Sequence, residues 1–242
     1  MKYLFSHKLR ILALTIFGLG VVSVSFAYFS NRQPQGNAQG FTLHSTMTTT
    51  AVGGNPLKTG SRVRYQRSDG SFRQVTTYYN PDGSTSRTDI LFGQPNRGVF
   101  LVQEKTKTIE FVSSLSPKSI VLSEADLHAG HRNIVREETV MGYKVLVARL
   151  GDDSSFTELY HAPALMGFQI KTVSVGPTGT MTIEPNKIVL GNPSDSDLKD
   201  IPKYPVAYNL YEEKIKVLED RGESEVAKQM RETLREARNG PQ

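Results

Sequence analysis

The stretch RVRYQRSDGSFRQVTTYYNPDGSTSRTDILF, residues 62–92, decides the fold of this chain. Apolar or aromatic side chains alternate with polar ones on both sides of Asp69-Gly70, which is the period-two pattern of half-buried strands. The segment Asn80-Pro81-Asp82-Gly83 places proline and glycine where a tight turn needs them. The stretch therefore predicts three consecutive antiparallel strands, at Arg62–Arg67, Phe72–Tyr79 and Thr85–Phe92, with a hairpin tip at residues 80–83.

The same alternation continues on both sides of this stretch. The connections between the patterned segments are short, which favours antiparallel meanders over βαβ units. The fold class predicted is mainly β, as a strongly bent antiparallel sheet or half-barrel. The further strands are predicted at Phe41–Thr50, Val99–Glu104, Thr108–Ser113, Asn133–Val140, Tyr143–Leu150, Phe156–Tyr160, Phe168–Val175 and Thr180–Leu190.

Near the carboxyl end the pattern changes from period two to helical spacing. Gly222 is expected to divide this segment into two amphipathic helices, which either close the sheet's own core or dock onto a partner. The apolar stripe consists of Leu210, Ile215, Leu218, Val226, Met230 and Leu234.

The amino-terminal residues carry the features of an export signal. Lys2, Lys8 and Arg10 precede an uncharged run, and Ser25 and Ala27 fit a cleavage site before residue 28. The alternative is an uncleaved anchor to about residue 30, because twenty uncharged residues suffice for a bilayer core of about 30 Å. Both alternatives predict an extracytoplasmic protein, most simply periplasmic, although a secreted or inner-membrane-anchored form is also compatible.

The predicted organisation is a signal peptide at 1–27, a polar linker at 28–40, an antiparallel β domain at 41–206 and a helical segment at 207–242. The predicted signal peptide contains three of the 29 Lys and Arg residues and none of the 24 Asp and Glu residues. Removal of the signal peptide therefore lowers the formal net charge from +5 to +2. A nearly neutral chain lacks the basic excess of a nucleic-acid-binding protein. Contact with the membrane is expected only through an uncleaved amino terminus.

Few residues suggest catalysis. The absence of cysteine excludes disulfides, thiolate metal sites and a lipid-bearing amino-terminal cysteine. Glu124, Asp126, His128 and His131 form the one carboxylate-and-imidazole cluster that suggests a divalent cation and a metal-assisted hydrolase, but their spacing matches no established site. We therefore predict a non-enzyme with no cofactor and no resident metal.

Several blocks of sequence resemble the LolA/LolB-like lipoprotein-carrier superfamily of exported proteins. One block runs from Arg62 to Phe111, and the others are Gly142-Tyr-Lys-Val, Glu158-Leu-Tyr-His-Ala-Pro-Ala-Leu and Gly167-Phe-Gln-Ile-Lys-Thr-Val. The resemblance implies a bent antiparallel sheet whose concave face, lidded by helices, accommodates acyl chains or hydrophobic segments of clients.

The function predicted is therefore that of a cell-envelope binding or carrier protein, with a hydrophobic ligand or a lipoprotein or envelope-protein client as its partner. One alternating face would line the concavity, although the same residues would equally suit a packed core. The alternative function is a non-catalytic structural protein that docks through its carboxy-terminal helices. The candidate ligand-binding residues are Val63, Tyr65, Phe100, Val102, Ile109 and Phe111.

Overall fold

The structure is a computed structural model that describes residues 39–94, 97–113, 124–130, 133–199 and 201–239. The predicted signal peptide and most of the predicted linker lie outside these residues. Within them the chain is mainly β, as predicted. Its twelve strands are β1 Phe41–Ala51, β2 Leu57–Gln66, β3 Phe72–Tyr79, β4 Thr85–Gln94, β5 Gly98–Gln103, β6 Thr108–Ser113, β7 Ile134–Val140, β8 Tyr143–Gly151, β9 Phe156–Ala162, β10 Phe168–Gly176, β11 Gly179–Leu190 and β12 Val206–Ala207.

All twelve strands belong to one open sheet, in the order β12-β6-β5-β4-β3-β2-β1-β11-β10-β9-β8-β7. Every pairing is antiparallel except that of β12 with β6. Strand β1 lies in the middle of the sheet, because it pairs with β2 on one side and with β11 on the other. One meander, β1 to β6, and a second one, β7 to β11, thus meet along β1.

The turn predicted at residues 80–83 joins β3 to β4. The backbone N–H of Gly83 donates to the carbonyl of Asn80 at 2.9 Å, and Gly83 has φ +83°. This left-handed backbone conformation is one that glycine adopts without a Cβ penalty. Asp82 accepts a hydrogen bond from the Ser84 backbone N–H at 2.9 Å, which completes the turn.

Four α-helices lie in the described part of the chain: α1 Glu124–Gly130, α2 Asp195–Lys199, α3 Asn209–Asp220 and α4 Ser224–Asn239. Helices α3 and α4 are separated at Gly222, as predicted, and Gly222 has φ +77°. Helices α1 and α2 fall in segments whose sequence has no clear period. Among the described helices, none combines the length and apolarity that crossing a bilayer requires.

The largest apolar core connects the centre of the sheet to strands β8–β10. Phe41 and Leu43 of β1 pack in it with Val145 and Val147 of β8, and all four are fully buried. The rings of Phe41 and Phe168 lie 5.4 Å apart. Strand β9 is buried on both faces, since all of its residues after Phe156 are buried. This half of the sheet is therefore the most enclosed part of the fold.

A buried carboxylate cross-links strands β7, β8 and β9. Glu158 accepts two hydrogen bonds at 2.8 Å from the guanidinium of Arg136 and one at 2.8 Å from Arg149 Nη2. The Tyr160 hydroxyl donates a further bond to it at 3.0 Å. The bonds from Arg136, followed by those from Arg149 and Tyr160, outweigh burial and lower the pKa of Glu158 to about 2.

Candidate functional site

The six predicted ligand-binding residues lie on one face of strands β2–β6. The register of the strands arranges them in two rows that cross the sheet. Residues that are directly opposite on paired strands share a face, so each row is a continuous line of side chains. The first row is Tyr65, Arg73, Phe92, Phe100 and Phe111, and the second is Val63, Val75, Ile90, Val102 and Ile109.

The rows are covered at their β4–β6 end and less so at β2. Phe111, Val102 and Ile109 are buried, at 0%, 3% and 7% exposure, whereas Val63 and Tyr65 are half-buried. Along the first row, the ring of Phe92 stacks on that of Phe100 at 5.3 Å, and Phe100 meets the edge of Phe111 at 5.7 Å. The candidate residues thus share an aromatic and aliphatic face, which Arg73 interrupts between Tyr65 and Phe92 and where Arg73 Nη1 donates to the carbonyl of Asp197 at 3.3 Å.

Helices α3 and α4 pack on the β6 end of this surface. Phe111 lies 5.0 Å from the ring of Tyr211 and 5.6 Å from that of Tyr208, measured between centroids. Ile215 of α3 and Leu234 of α4 complete the buried cluster. The helices therefore contact the chain's own sheet, which is one of the two arrangements expected from their amphipathic stripe. A docking role for them stays a prediction.

Four of the six residues of the predicted stripe pack in this cluster, namely Ile215, Leu218, Met230 and Leu234. Leu210 and Val226 are 41% and 46% exposed, whereas Tyr211 and Ala227, one residue later in each helix, are buried. The reason is that Tyr211, Ile215 and Leu218 lie at helical spacing on the side of α3 that faces Phe111. Sequence reasoning missed Tyr208 and Tyr211 because the predicted stripe was built from aliphatic side chains and methionine.

The segment between α2 and α3 covers the second row. Ile201 and Tyr204 pack against the cluster of Phe92, Val102 and Ile109. The Tyr204 hydroxyl donates to Glu104 at 2.9 Å, beside the β5–β6 turn. No periodicity in the sequence of this segment indicated such a contact.

Two further polar attachments fix the carboxy-terminal cover, which we define as residues 201–239, to the edge of the sheet. Buried Glu110 of β6 accepts hydrogen bonds from Asn209 Nδ2 at 3.2 Å and from the Leu210 backbone N–H at 3.4 Å. These bonds satisfy donors at the amino end of α3, where a carboxylate also complements the helix dipole. Strand β12 supplies the other attachment, through two residues paired with β6.

The acidic cluster predicted around residues 124–131 is only partly described. Glu124 and His128 lie on α1, but the side chain of Asp126 and the whole of His131 are outside the described residues. The fold brings Glu137 of β7 to Glu124 and His128, with potential ligand atoms within 4.8 Å of one another. Sequence reasoning missed Glu137 because it belongs to a separate element, β7, whose alternating pattern gives no sign of a contact with α1.

A lysine already contacts both carboxylates of this cluster. Lys144 Nζ lies 2.8 Å from Glu124 and 3.2 Å from Glu137, and all three side chains are largely exposed. The Lys144 hydrogen bond lowers the pKa of Glu124, and hydrogen bonds to both carboxylates raise the pKa of Lys144. The ammonium group thus supplies the positive charge that a cation would bring.

The polar residues near Ser154 and Ser155 are structural. Asp152 accepts hydrogen bonds from the backbone N–H of Ser154 at 2.8 Å and of Ser155 at 2.9 Å, which stabilises the β8–β9 turn. His161 is buried, with its Nδ1 3.0 Å from the carbonyl of Gly167. These contacts use the carboxylate and the imidazole to hold turns of the backbone.

A cleft of about 530 Å³ opens to solvent beside the β3–β4 hairpin. Its lining mixes polar and apolar side chains and consists of Leu57, Lys58, Tyr79 and residues 80–83. It lies at a hairpin tip, and none of the six predicted residues lines it.

No family model and no curated protein matches this chain. Solved structures similar to it include PNGF-II, at 12% identity and a TM-score of 0.43 over 73% of this chain. The match covers 33% of PNGF-II, so the chain spans about a third of that protein.

The similar structures also include the LolA superfamily protein NE2245 from Nitrosomonas europaea, as the sequence resemblance predicts. That match has 8% identity and a TM-score of 0.32, and it covers 75% of this chain and 97% of NE2245. A putative outer membrane lipoprotein-sorting protein domain from Vibrio parahaemolyticus matches at 11% identity with a TM-score of 0.30. That match covers 69% of this chain and 91% of the domain.

Proposed function

We propose that the chain is an exported, non-catalytic binding or carrier protein of the cell envelope. In this proposal a hydrophobic ligand or client segment lies against the two rows of β2–β6, which are apolar except for Arg73, beneath the carboxy-terminal cover. The observation that carries the proposal is the pair of rows themselves, which run across five strands and end under a separate, carboxy-terminal part of the chain.

The cover is suited to displacement because its attachment to the sheet is short. Strand β12 has two residues, and α4 packs against α3 and Phe111 through a few side chains. The half-buried Val63 and Tyr65 at the other end of the rows give a ligand a first point of contact. A ligand that enters there would extend toward Phe100 and Phe111 as the cover moves.

The energies of displacement and binding are of the same order. Burial of one aromatic or aliphatic side chain contributes about 1.5–3 kcal/mol, and each buried methylene of a ligand about 0.8 kcal/mol. An acyl chain that buries about ten methylenes therefore offsets the exposure of three or four side chains of the cover. Smaller apolar molecules would bind only at the β2 end.

Export is part of the proposal and rests on the sequence of residues 1–27. The basic residues, the uncharged run and the small residues before residue 28 support it. The experiment is to express the full chain with its own amino terminus in a Gram-negative host and to purify it from the envelope fraction. Its mass then distinguishes the cleaved form from the anchored one, and organic extraction of the purified protein identifies any bound lipid.

Binding is tested with a neutral apolar probe, N-phenyl-1-naphthylamine, whose fluorescence rises in an apolar site. Val63→Glu is expected to weaken probe binding at least about tenfold, because it places a charge in the second row. The matched control is Val135→Glu, since Val135 is a 50%-exposed valine on edge strand β7. Absence of both extractable lipid and saturable probe binding in the full chain would refute the proposal, as would equal effects of the two substitutions.

A further inference from the structure

Strand β2 carries two arginines on the face opposite the apolar rows. Arg62 and Arg64 are two residues apart, so their side chains point the same way and their Cα atoms lie about 6.6 Å apart. On β1 the residue opposite Arg62 is Ser45, and on β3 it is Thr76. Arg64, Ser45 and Thr76 are all buried, which is unusual for a surface that holds two guanidinium groups.

Arg64 is held rigidly in this interior. Arg64 is 2% exposed. Its guanidinium carbon lies 3.3 Å from the ring centroid of Phe72 and 4.9 Å from that of Phe168. Nε and Nη2 donate to Gln66 Oε1 at 3.2 and 2.7 Å. The stacked rings and the amide fix the plane of the guanidinium and leave the rest of its five donors to other acceptors.

Arg62 and Ser45 have polar atoms that are sealed from solvent and find no hydrogen-bond partner among the residues that the structure describes. In Arg62 these are Nε and Nη2, and in Ser45, a residue only 1% exposed, the atom is Oγ. The two residues are directly opposite each other on paired strands. A buried polar atom without a partner costs about 1–3 kcal/mol, and more when it is charged. Three such atoms on two directly opposed residues point to an acceptor that the described residues do not supply.

No carboxylate of the described residues neutralises the two arginines. The acid nearest along this face is Asp89 of β4, which lies in the row of Ser45, Arg62 and Thr76 but two strands from Arg62, at about 10 Å. Asp89 pairs with Arg87 at 3.0 Å and accepts a hydrogen bond from Tyr78. Its charge is therefore already compensated on the far side of β3.

We propose that Arg62, Arg64 and Ser45 form a buried binding site for a phosphate group. Two guanidinium groups favour a doubly charged oxyanion over a single carboxylate, and a phosphate has enough acceptor oxygens for the unpaired donors. Burial lowers the pKa of Arg62 to about 10, and burial followed by the charge of Arg62 lowers the pKa of Arg64, as expected for cations without an anion. A bound phosphate would relieve both effects.

The test is titration of the purified full chain with inorganic phosphate, with sodium chloride keeping the ionic strength constant. Calorimetry measures the binding, and thermal unfolding measures the stability that it adds. Arg62→Met and Arg64→Met are each expected to weaken phosphate binding about 10- to 100-fold, the loss of a charge-assisted contact. The matched control is Lys58→Met, which removes an exposed positive charge from the same strand and should leave binding unchanged. Because each variant removes a buried charge that no carboxylate of the described residues neutralises, folding in chloride is expected to persist.

Ser45→Ala is the milder variant if either methionine substitution prevents folding. It removes one hydroxyl and is expected to weaken phosphate binding severalfold without loss of structure. Lysophosphatidic acid and monoacylglycerol distinguish the source of the phosphate. The phosphate belongs to a lipid headgroup if lysophosphatidic acid binds more tightly than inorganic phosphate and monoacylglycerol does not bind at the same site. Equal affinities for lysophosphatidic acid and inorganic phosphate identify a free phosphate.

The proposal is overturned if neither inorganic phosphate nor lysophosphatidic acid binds saturably, or if all three substitutions leave binding unchanged. Its outcome is separate from that of the proposed carrier function, because the apolar rows lie on the other face of β2 and their probe is uncharged. Loss of phosphate binding with normal binding of the neutral probe would leave the carrier proposal intact.

Discussion

Replacement of Glu158 by glutamine should remove a defined, pH-dependent part of the stability. Glu158 is 5% exposed and bonded to Arg136, Arg149 and Tyr160, and its pKa falls from an ordinary 4.5 to about 2. At about 1.4 kcal/mol for each tenfold change in proton affinity, this difference corresponds to about 3 kcal/mol. Because the folded-state pKa lies below the unfolded value, that contribution is present above about pH 4.5 and is lost as the pH falls toward 2.

The assay is urea unfolding of the wild type and Glu158→Gln at several values between pH 7 and pH 2. We expect the variant to be about 3 kcal/mol less stable at pH 7, with the difference shrinking toward zero near pH 2. Glu184→Gln is the control, since Glu184 is 58% exposed and pairs with Lys171 on the neighbouring strand. A pH-independent difference, or a loss below about 0.5 kcal/mol at pH 7, would refute the role assigned to this carboxylate.

Truncation after Val206 should lower the thermal midpoint and increase N-phenyl-1-naphthylamine fluorescence. The reason is that truncation exposes the Phe111 ring, whose burial contributes about 1.5–3 kcal/mol. An unchanged midpoint would show that the helices do not close the core. Gly83→Ala should cost about 1–2 kcal/mol in urea unfolding, because residue 83 has φ +83°. Gly176→Ala, at an open position without positive φ, should cost far less. Addition of EDTA should leave the thermal midpoint unchanged, because the Lys144 ammonium contacts both carboxylates of the acidic cluster.

Much of the sheet could be predicted because its information is local. The bounds of β3 at Phe72–Tyr79 and of β6 at Thr108–Ser113 agree with the sequence prediction, since alternation and turn residues define both ends. Gly222 likewise marks the end of α3. The alternation also predicts which side chains of one strand share a face, as it does for Val63 and Tyr65.

The contacts between distant segments could not be predicted in this way. The pairing of β1 with β11 joins Phe41 to Leu190, and the acidic cluster joins Glu137 to helix α1. Each contact depends on the three-dimensional path of the chain and leaves no periodic signal. The cover at Ile201 and Tyr204 is similar, because a segment without regular structure has no period to detect.

Strand β2 connects the two proposed sites through its register. In Arg62-Val63-Arg64-Tyr65 the two arginines take one face and the two apolar residues the other, and a slip of one residue would exchange them. Pairing with β1 opposes Arg62 to Ser45, and pairing with β3 opposes Val63 to Val75. A substitution on one face should therefore leave binding at the other unchanged, whereas a change that alters the β2 register should abolish phosphate and apolar-probe binding together. Joint loss in a single-face variant that keeps its strand register would contradict this separation of the two faces.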